Sequence, residues 1–290
     1  MSGPVAARTA DGSRLHLQHG PIDLIVEAWG EPAEVADAYR RAWERFQPLL
    51  DELVAELPAL RRPLDPALGR FSGRVARRMA AAVEPFVEGS LTPMAAVAGA
   101  VADEICAEMA AGGTLRRAYV NDGGDIALYL SPGASLEVGV VPVPNRPALL
   151  GKVTVRSEDP IRGVATSGRH GRSFSLGIAD AVTVLAADAA LADAAATLIA
   201  NAVDLPGHPA ITRVPASELE PDSDLGARPV TTEVGALTRG EVDRALERGV
   251  EVAERMRDGG RIAAAVLCLE GGVERVAARS APVLASADGR

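Results

Sequence analysis

The residues best suited to chemistry form two polar clusters, each lying between apolar segments typical of strands. The first reads Asn121-Asp122-Gly123-Gly124-Asp125. The second begins at Thr166-Ser167-Gly168, continues through a loop rich in Gly, Ser and Arg, and stops at Asp180 before the apolar run 181–185. Hydroxyl groups, carboxylates and exposed backbone N–H groups suit a phosphorylated small molecule. We expect the two clusters to face each other across one site.

The second cluster has the composition of an anion-binding loop. Consecutive small residues can turn backbone N–H groups toward an anion, and Arg172 and the hydroxyls would add donors to a phosphate. The predicted binding residues are Thr166, Ser167, Gly168, Arg172, Ser173 and Ser175. Asp180 and His170, the one His in either cluster, are the candidates for catalysis. The alternative is a polar surface loop that binds nothing.

The first cluster admits two interpretations. Gly supplies positive φ at a tight turn and Asn or Asp bonds to nearby backbone N–H groups, which predicts a turn between two strands. In the second interpretation, Gly lets a ligand approach the backbone while a neighbouring polar side chain binds its edge. The predicted binding residues are Asn121, Gly123, Gly124 and Asp125.

An Ala-rich helix from about Asp188 carries a third polar feature. Asp193, Thr197 and Asn201 are spaced four apart and so form one line along an otherwise apolar helix. A buried carboxylate needs a cation or hydrogen-bond donors. Oxygen ligands from Asp193 and Thr197 suit Mg²⁺, which completes its coordination with water and phosphate. The alternative is that this line faces solvent.

Taken together, these segments resemble the ApbE-type FAD:protein FMN transferases. In that family a helix reading like KGYAVD precedes a GGD turn, and a TSG loop leads to a strand and then to a helix whose Asp and Thr help to hold Mg²⁺. The corresponding stretches here are Ala98–Asp103, Gly123-Gly124-Asp125, Thr166-Ser167-Gly168, Val182-Thr183-Val184, and Asp193 with Thr197. The resemblance covers roughly residues 92–201. It implies an ApbE-like fold, FAD or FMN as ligand, and Mg²⁺.

The sequence departs from that family at two places. The family's Lys is Ala98 here, and the His-containing segment ending in Asp-Pro is replaced by the short stretch GRSFSLGIADAVTV. This stretch resembles the branch of the superfamily called uncharacterised protein family UPF 0280. Standard FMN transfer to a protein is therefore not expected.

Two functions remain open from the sequence. One is a Mg²⁺-dependent transferase or hydrolase acting on a flavin nucleotide or a similar planar cofactor. The other is a non-catalytic binding protein for a flavin, a pterin or another metabolite. An assembly role through the Ala-rich helices, with a homodimer as its product, is a third and structural alternative.

Composition predicts the fold that positions these residues. Of the 290 residues, 48% are hydrophobic and only 3% aromatic, so Ala, Val, Leu and Ile must build the core. The order of strand-like and helical patterns predicts an α+β fold, with helices packed on a mostly antiparallel sheet. We expect one domain over residues 13–278, a disordered segment at 1–12 and a tail at 279–290.

The net charge and the apolar content of the sequence limit the kinds of partner that we expect. The net charge of −9 and the pI near 5.1 argue against nucleic-acid binding. No uncharged apolar run of 18 residues is present, so no membrane span is predicted. Cys106 and Cys268 lie in apolar patterns and are expected as buried, reduced thiols. The sequence thus predicts a cytoplasmic protein with a small-molecule ligand.

Overall fold

The computed structural model describes residues 3–64, 71–89, 91–141, 149–279, 281–282 and 285–286. The chain divides into two compact units. The first comprises residues 1–136, 155–165 and 187–194, and the second comprises residues 137–154, 166–186 and 195–290. The expected single domain over residues 13–278 stays a prediction.

The described residues form both helices and strands. The helices are α1 Pro32–Leu60, α2 Arg74–Val83, α3 Val97–Ala110, α4 Ala189–Ala202, α5 Ala216–Leu219 and α6 Arg239–Asp258. The strands are β1 Val5–Arg8, β2 Arg14–His19, β3 Ile22–Trp29, β4 Arg117–Asp122, β5 Asp125–Leu130, β6 Ser135–Val140, β7 Gly151–Arg156, β8 Gly163–Ser167, β9 Ala181–Ala186, β10 Ile211–Pro215, β11 Pro229–Val234, β12 Ala264–Leu269, β13 Gly272–Ala277 and β14 Ala285–Ser286. Two 3-10 turns, Glu84–Gly89 and Pro93–Ala96, precede α3. The predicted α+β fold with a mostly antiparallel sheet is confirmed.

The first unit is built on a sheet with helices on one face. Strands β1 to β5 follow one another in order, each antiparallel to the next, and β5 pairs with β8. Buried and less buried positions alternate along β3 and β4, as expected for strands with one covered face. Helix α3 packs on β4 and β5, and α1 and α2 pack on α3. This packing fixes α3, which carries much of the candidate site.

The prediction of disorder over residues 1–12 is wrong at Val5–Arg8. This segment forms β1, which pairs with β2 from Val5 opposite Gln18 to Arg8 opposite Leu15. All four side chains are exposed, so the strand is held by backbone hydrogen bonds. Because it buries no apolar side chain, it leaves no hydrophobic pattern in the sequence. Residues 1–2 lie outside the described part.

The second unit is built on the antiparallel strands β9, β12 and β13, in that spatial order. Every residue of β9 and of β12 is buried, and α6 packs on β12 and β13. Helix α6 begins with a capping box, because the Thr238 hydroxyl accepts from the Glu241 N–H while the Glu241 carboxylate accepts from the Thr238 N–H. Strands β10 and β11 form a separate ribbon.

The predicted tail at 279–290 is also ordered in part. Ala285 pairs with Lys152 and Ser286 with Gly151, so β14 adds to β7. Residues 280, 283–284 and 287–290 lie outside the described part. Among the described residues, no helix is both long and apolar enough to cross a membrane. Cys106 and Cys268 are free and buried, as predicted, and burial raises the pKa of their thiols to about 12 and about 11.

Candidate functional site

In the first unit, the start of α4 meets the start of α3 at backbone contact. A Cβ added at Gly99 would clash with the Ala189 carbonyl group and the Ala190 nitrogen. Only Gly therefore permits this approach between the two helices. Gly99 therefore marks a close approach between two helices rather than a weak point in α3.

Each of these two helices supplies a carboxylate to the other. Asp103 of α3 accepts hydrogen bonds from the N–H groups of Ala189 at 3.0 Å and Ala190 at 2.9 Å. Asp193 of α4 accepts one from the Gly99 N–H at 3.1 Å. The first N–H groups of a helix have no partner within the helix, and the helix dipole favours an anion there. The exchange therefore locks Asp193 onto the start of α3.

Despite these hydrogen bonds, both carboxylates are costly to ionise. Burial raises the pKa of Asp103 to about 7 and that of Asp193 to about 7, and the backbone N–H groups only partly oppose the rise. The charge of Asp122, which is 6% exposed, further raises the pKa of Asp193. Within the described chain Asp193 forms no ion pair with Arg or Lys. A cation at this point would relieve the repulsion among the carboxylates.

The NDGGD segment is the turn of the β4–β5 hairpin. Asp122 pairs with Asp125, and the two glycines between them have φ of 64° and 119°, which L side chains rarely adopt. Asn121 Oδ1 accepts the Gly124 N–H at 2.8 Å. The backbone thus follows the turn interpretation, with the Asn121 oxygen already engaged. Ligand binding by Asn121, Gly123, Gly124 and Asp125 stays a prediction.

In the second unit, the loop after β8 is held at its base. The hydroxyls of Thr166 and Thr183 are 2.9 Å apart, and Thr183 is buried in β9. The Arg169 N–H donates to the Ala179 carbonyl at 2.9 Å, and the Gly171 N–H to the Gly168 carbonyl at 3.0 Å. These bonds close the two arms of the loop, while residues 171–174 between them are exposed.

Asp180 is the centre of a charged cluster at this loop. Its Oδ1 accepts from Arg169 Nε at 2.8 Å and lies 3.3 Å from His170 Nε2. Its Oδ2 accepts the Glu270 N–H at 2.6 Å. Arg169 also pairs with the Glu270 carboxylate at 2.7 Å. The two predicted catalytic candidates, Asp180 and His170, are therefore in direct contact.

The other predicted residues of the loop divide into inner and outer positions. Ser175 is buried, and its hydroxyl donates to the Gly177 carbonyl at 3.3 Å. Arg172 and Ser173 are exposed at the outer part of the loop. Asn201, from the polar line on α4, accepts the Leu176 N–H at 3.0 Å. Asn201 thus supports the loop.

The structure brings some predicted residues together and leaves others apart. Asp193 and Asp122 lie together in the first unit, and Thr197 follows Asp193 by one turn of α4. The segments 121–125 and 166–180 belong to different units, so their facing each other stays a prediction. Three His, Cys, Asp or Glu side chains arranged to hold a metal are not found among the described residues. A metal here would need hydroxyl, carbonyl or ligand oxygens as well as carboxylate.

The sequence analysis missed four residues that shape these clusters. Asp103 was named only as the end of the AGAVAD stretch, and no role was predicted for Glu104. Arg169 and Glu270 were not connected, because 101 positions separate them and no local spacing indicates the pair. Only the return of β12 beside β9 brings Glu270 to Asp180.

The chain resembles known proteins over most of its length. A family model described as AbpE bacteria matches residues 6–275. The UPF0280 protein of Methanopyrus kandleri is 40% identical over 182 residues, which cover 62% of this chain and 69% of the relative. The UPF0280 protein of Methanosphaerula palustris is 34% identical over 181 residues, covering 61% of this chain and 70% of the relative.

Solved structures also match nearly the whole chain. The crystal structure of the ApbE protein from Thermotoga maritima has a TM-score of 0.49 at 14% identity, covering 94% of this chain and 96% of that one. The flavin transferase ApbE from Vibrio cholerae has a TM-score of 0.49 at 12% identity, covering 95% of this chain and 98% of that one.

Proposed function

Because the chain belongs to the AbpE bacteria family and to its UPF0280 branch, we propose that it binds a flavin- or nucleotide-like planar cofactor with the help of Mg²⁺. The ligand class follows from the motifs shared with the ApbE-type transferases. FAD and FMN are therefore the first ligands to test.

The observation that carries the proposal is the environment of the Asp193 carboxylate. Part of the side chain stays accessible, yet burial raises the pKa of its carboxyl to about 7, and it lies near two further carboxylates. No guanidinium in the described chain compensates it. A protein that needed only a helix contact here could use Asn at lower electrostatic cost. A carboxylate that is held in place but not neutralised is suited to a cation.

The donor set at this position fits Mg²⁺. Asp193 and Thr197 would hold the ion with a carboxylate and a hydroxyl oxygen, the hard ligands that Mg²⁺ prefers, and the rest of its shell would be water and phosphate. Bound there, Mg²⁺ would neutralise phosphate charge and polarise a phosphoryl oxygen.

The loop of the second unit supplies the remaining donors in this proposal. Thr166, Ser167, Gly168, Arg172 and Ser173 would bind the phosphate, and Asn121, Gly123, Gly124 and Asp125 would contact the planar part. Ser175 is buried and would act through the shape of the loop. With Asp180 and His170 as catalytic groups, the protein would be a Mg²⁺-dependent transferase or hydrolase. Without them it would be a binding protein for a flavin, a pterin or another metabolite.

A thermal-shift titration tests the proposal. Purified protein is melted with FAD, FMN, ADP and a reduced pterin, each with and without Mg²⁺. A bound ligand stabilises by RT ln(1 + [L]/Kd), about 2.7 kcal/mol at a hundredfold excess over Kd. We expect FAD to raise the melting temperature only with Mg²⁺, and Asp193→Asn to abolish the shift. An unchanged melting temperature with all four compounds would refute the proposal.

Three further experiments check the remaining predictions about partners and location. Size-exclusion chromatography with light scattering separates a monomer from the proposed homodimer. Cell fractionation tests the cytoplasmic location, and a filter-binding assay tests the expected lack of affinity for nucleic acid.

A further inference from the structure

The hairpin turn between β12 and β13 contains an unusual residue. Glu270 and Gly271 are its two central residues, and both have positive φ, 45° and 76°. Turns of this kind favour Asn, Asp or Gly at the first central position, because these residues tolerate positive φ. Among the described residues, Glu270 is the one non-Gly residue with positive φ. A Glu here is kept at some conformational cost, and such strain clusters at functional sites.

The strained turn allows Glu270 to make two contacts, one through its side chain and one through its backbone. Its carboxylate pairs with Arg169 at 2.7 Å, while its own N–H donates to Asp180 Oδ2 at 2.6 Å. Arg169 in turn binds Asp180 Oδ1. Asp180 is therefore held on both oxygens, from Arg169 and from the hairpin turn.

This arrangement leaves His170 as the least constrained member of the cluster. Its Nε2 lies 3.3 Å from Asp180 Oδ1, and the ring is partly exposed. A carboxylate at one ring nitrogen fixes the tautomer, so that the other nitrogen is free to accept a proton. A fixed Asp beside a partly exposed His is the arrangement by which enzymes orient a general base.

We propose that His170 is a general base oriented by Asp180, and that Arg169 and Glu270 are positioning residues that hold Asp180. The substrate class is a dinucleotide pyrophosphate such as FAD, so the inference rests on the proposed function.

In the proposed reaction, water attacks one phosphorus and its proton passes to His170 Nδ1. The new P–O bond forms as the bridging P–O bond breaks, and the electron pair leaves with the departing phosphate. FAD and water thus give FMN and AMP.

The test combines FAD binding, AMP release and thermal stability in the full-length protein with Mg²⁺. His170→Gln is expected to lower the rate of AMP release by about 10²–10⁴-fold, since Gln accepts no proton. FAD affinity should stay within about threefold.

Glu270→Gly tests whether Glu270 positions the groups that act on the substrate or only supports the fold. Gly adopts positive φ without strain, so this variant should melt at a higher temperature than the wild type. It also removes the carboxylate that holds Arg169, so the rate should fall by about tenfold with KM unchanged. Glu274→Gln, an exposed change on the adjacent strand, should alter neither quantity.

Three outcomes would overturn the inference. These are a His170→Gln rate within about threefold of the wild type, an unchanged rate in Glu270→Gly, and FAD binding without AMP release. In each case the proposed binding function stands. If the wild type does not bind FAD at all, the proposed function fails, and the inference fails with it.

Discussion

Two neighbouring residues of α3 are carboxylates held in opposite ways. Glu104 is fully buried and contacts three guanidinium groups, those of Arg45 at 2.7 Å, Arg74 at 3.0 Å and Arg78 at 3.1 Å. Burial alone would raise its pKa, but the hydrogen bonds from Arg45 and Arg78 and the charge of Arg74 lower it overall. Asp103, one residue earlier, accepts only backbone hydrogen bonds from α4, and burial raises its pKa to about 7.

Asp193 resembles Asp103, because burial raises the pKa of its carboxyl as well. It keeps more exposure than Glu104, yet its pKa is about 7, because its neighbours are backbone N–H groups and other carboxylates. The degree of burial therefore does not decide the charge of these groups, whereas the presence of a compensating cation does. The charge of Glu104 is compensated within the fold by three guanidinium groups. Asp193 has no such compensation within the described chain, and in the proposed function a cation would supply it.

The largest expected effect is at the compensated carboxylate. Glu104→Gln removes the buried carboxylate that Arg45, Arg74 and Arg78 share, and we expect a loss of about 3 kcal/mol in the free energy of unfolding. Urea denaturation measures it. Glu44→Gln, which breaks an exposed pair with Arg40, should cost less than about 1 kcal/mol. Equal losses for the two variants would contradict the structural role of Glu104.

The next effect concerns the contact that places Asp193. Gly99→Ala would press a methyl group onto the Ala189 carbonyl, so the helices must separate, at about 1–3 kcal/mol. The matched change Gly240→Ala lies in α6, where an added Cβ would meet only the Arg244 side chain at an ordinary contact distance of 3.8 Å, and should be neutral or stabilising by up to about 1 kcal/mol. Chemical denaturation of both variants measures the two changes in the free energy of unfolding. A neutral Gly99→Ala would mean that α3 and α4 do not need this contact.

Sequence reasoning succeeded where a local pattern carried the information. The Ala-rich helix predicted from about Asp188 is observed as Ala189–Ala202, and the glycines of NDGGD do form a turn. The spacing of Asp193 and Thr197 places both on one helix, as expected.

The missed features depend on tertiary contacts. Arg74 and Arg78 lie on a polar face of α2 that indicates no partner by itself, and Glu104, from another helix, binds both. Strand β1 has no buried side chain, and the Arg169–Glu270 pair joins residues brought together only by the sheet. Such contacts leave no periodicity that a single sequence could reveal.

The smallest stability effect is at the uncompensated carboxylate, and it has the opposite sign. The folded pKa of Asp193, about 7, lies above its ordinary value of 3.8, so the folded state loses stability as pH rises between these values. Asp193→Asn removes that cost. Without added metal, we expect a gain of about 1 kcal/mol at pH 8, reduced by partial exposure, and a smaller gain at pH 5. Thermal melts at the two pH values measure it, and destabilisation at pH 8 would contradict this assignment.

The most direct test of the central claim is the proton released when Mg²⁺ binds. Calorimetric titrations of Mg²⁺ into the ligand-free protein at pH 6.5, in two buffers of different ionisation enthalpy, give the number of protons released per site. With a pKa of about 7 at Asp193, we predict release of more than about half a proton, and none in Asp193→Asn. Glu52→Gln, which lies in the Arg-compensated cluster, should behave as the wild type. If Mg²⁺ bound the wild type and Asp193→Asn with the same affinity and no proton release, Asp193 would not be a cation ligand.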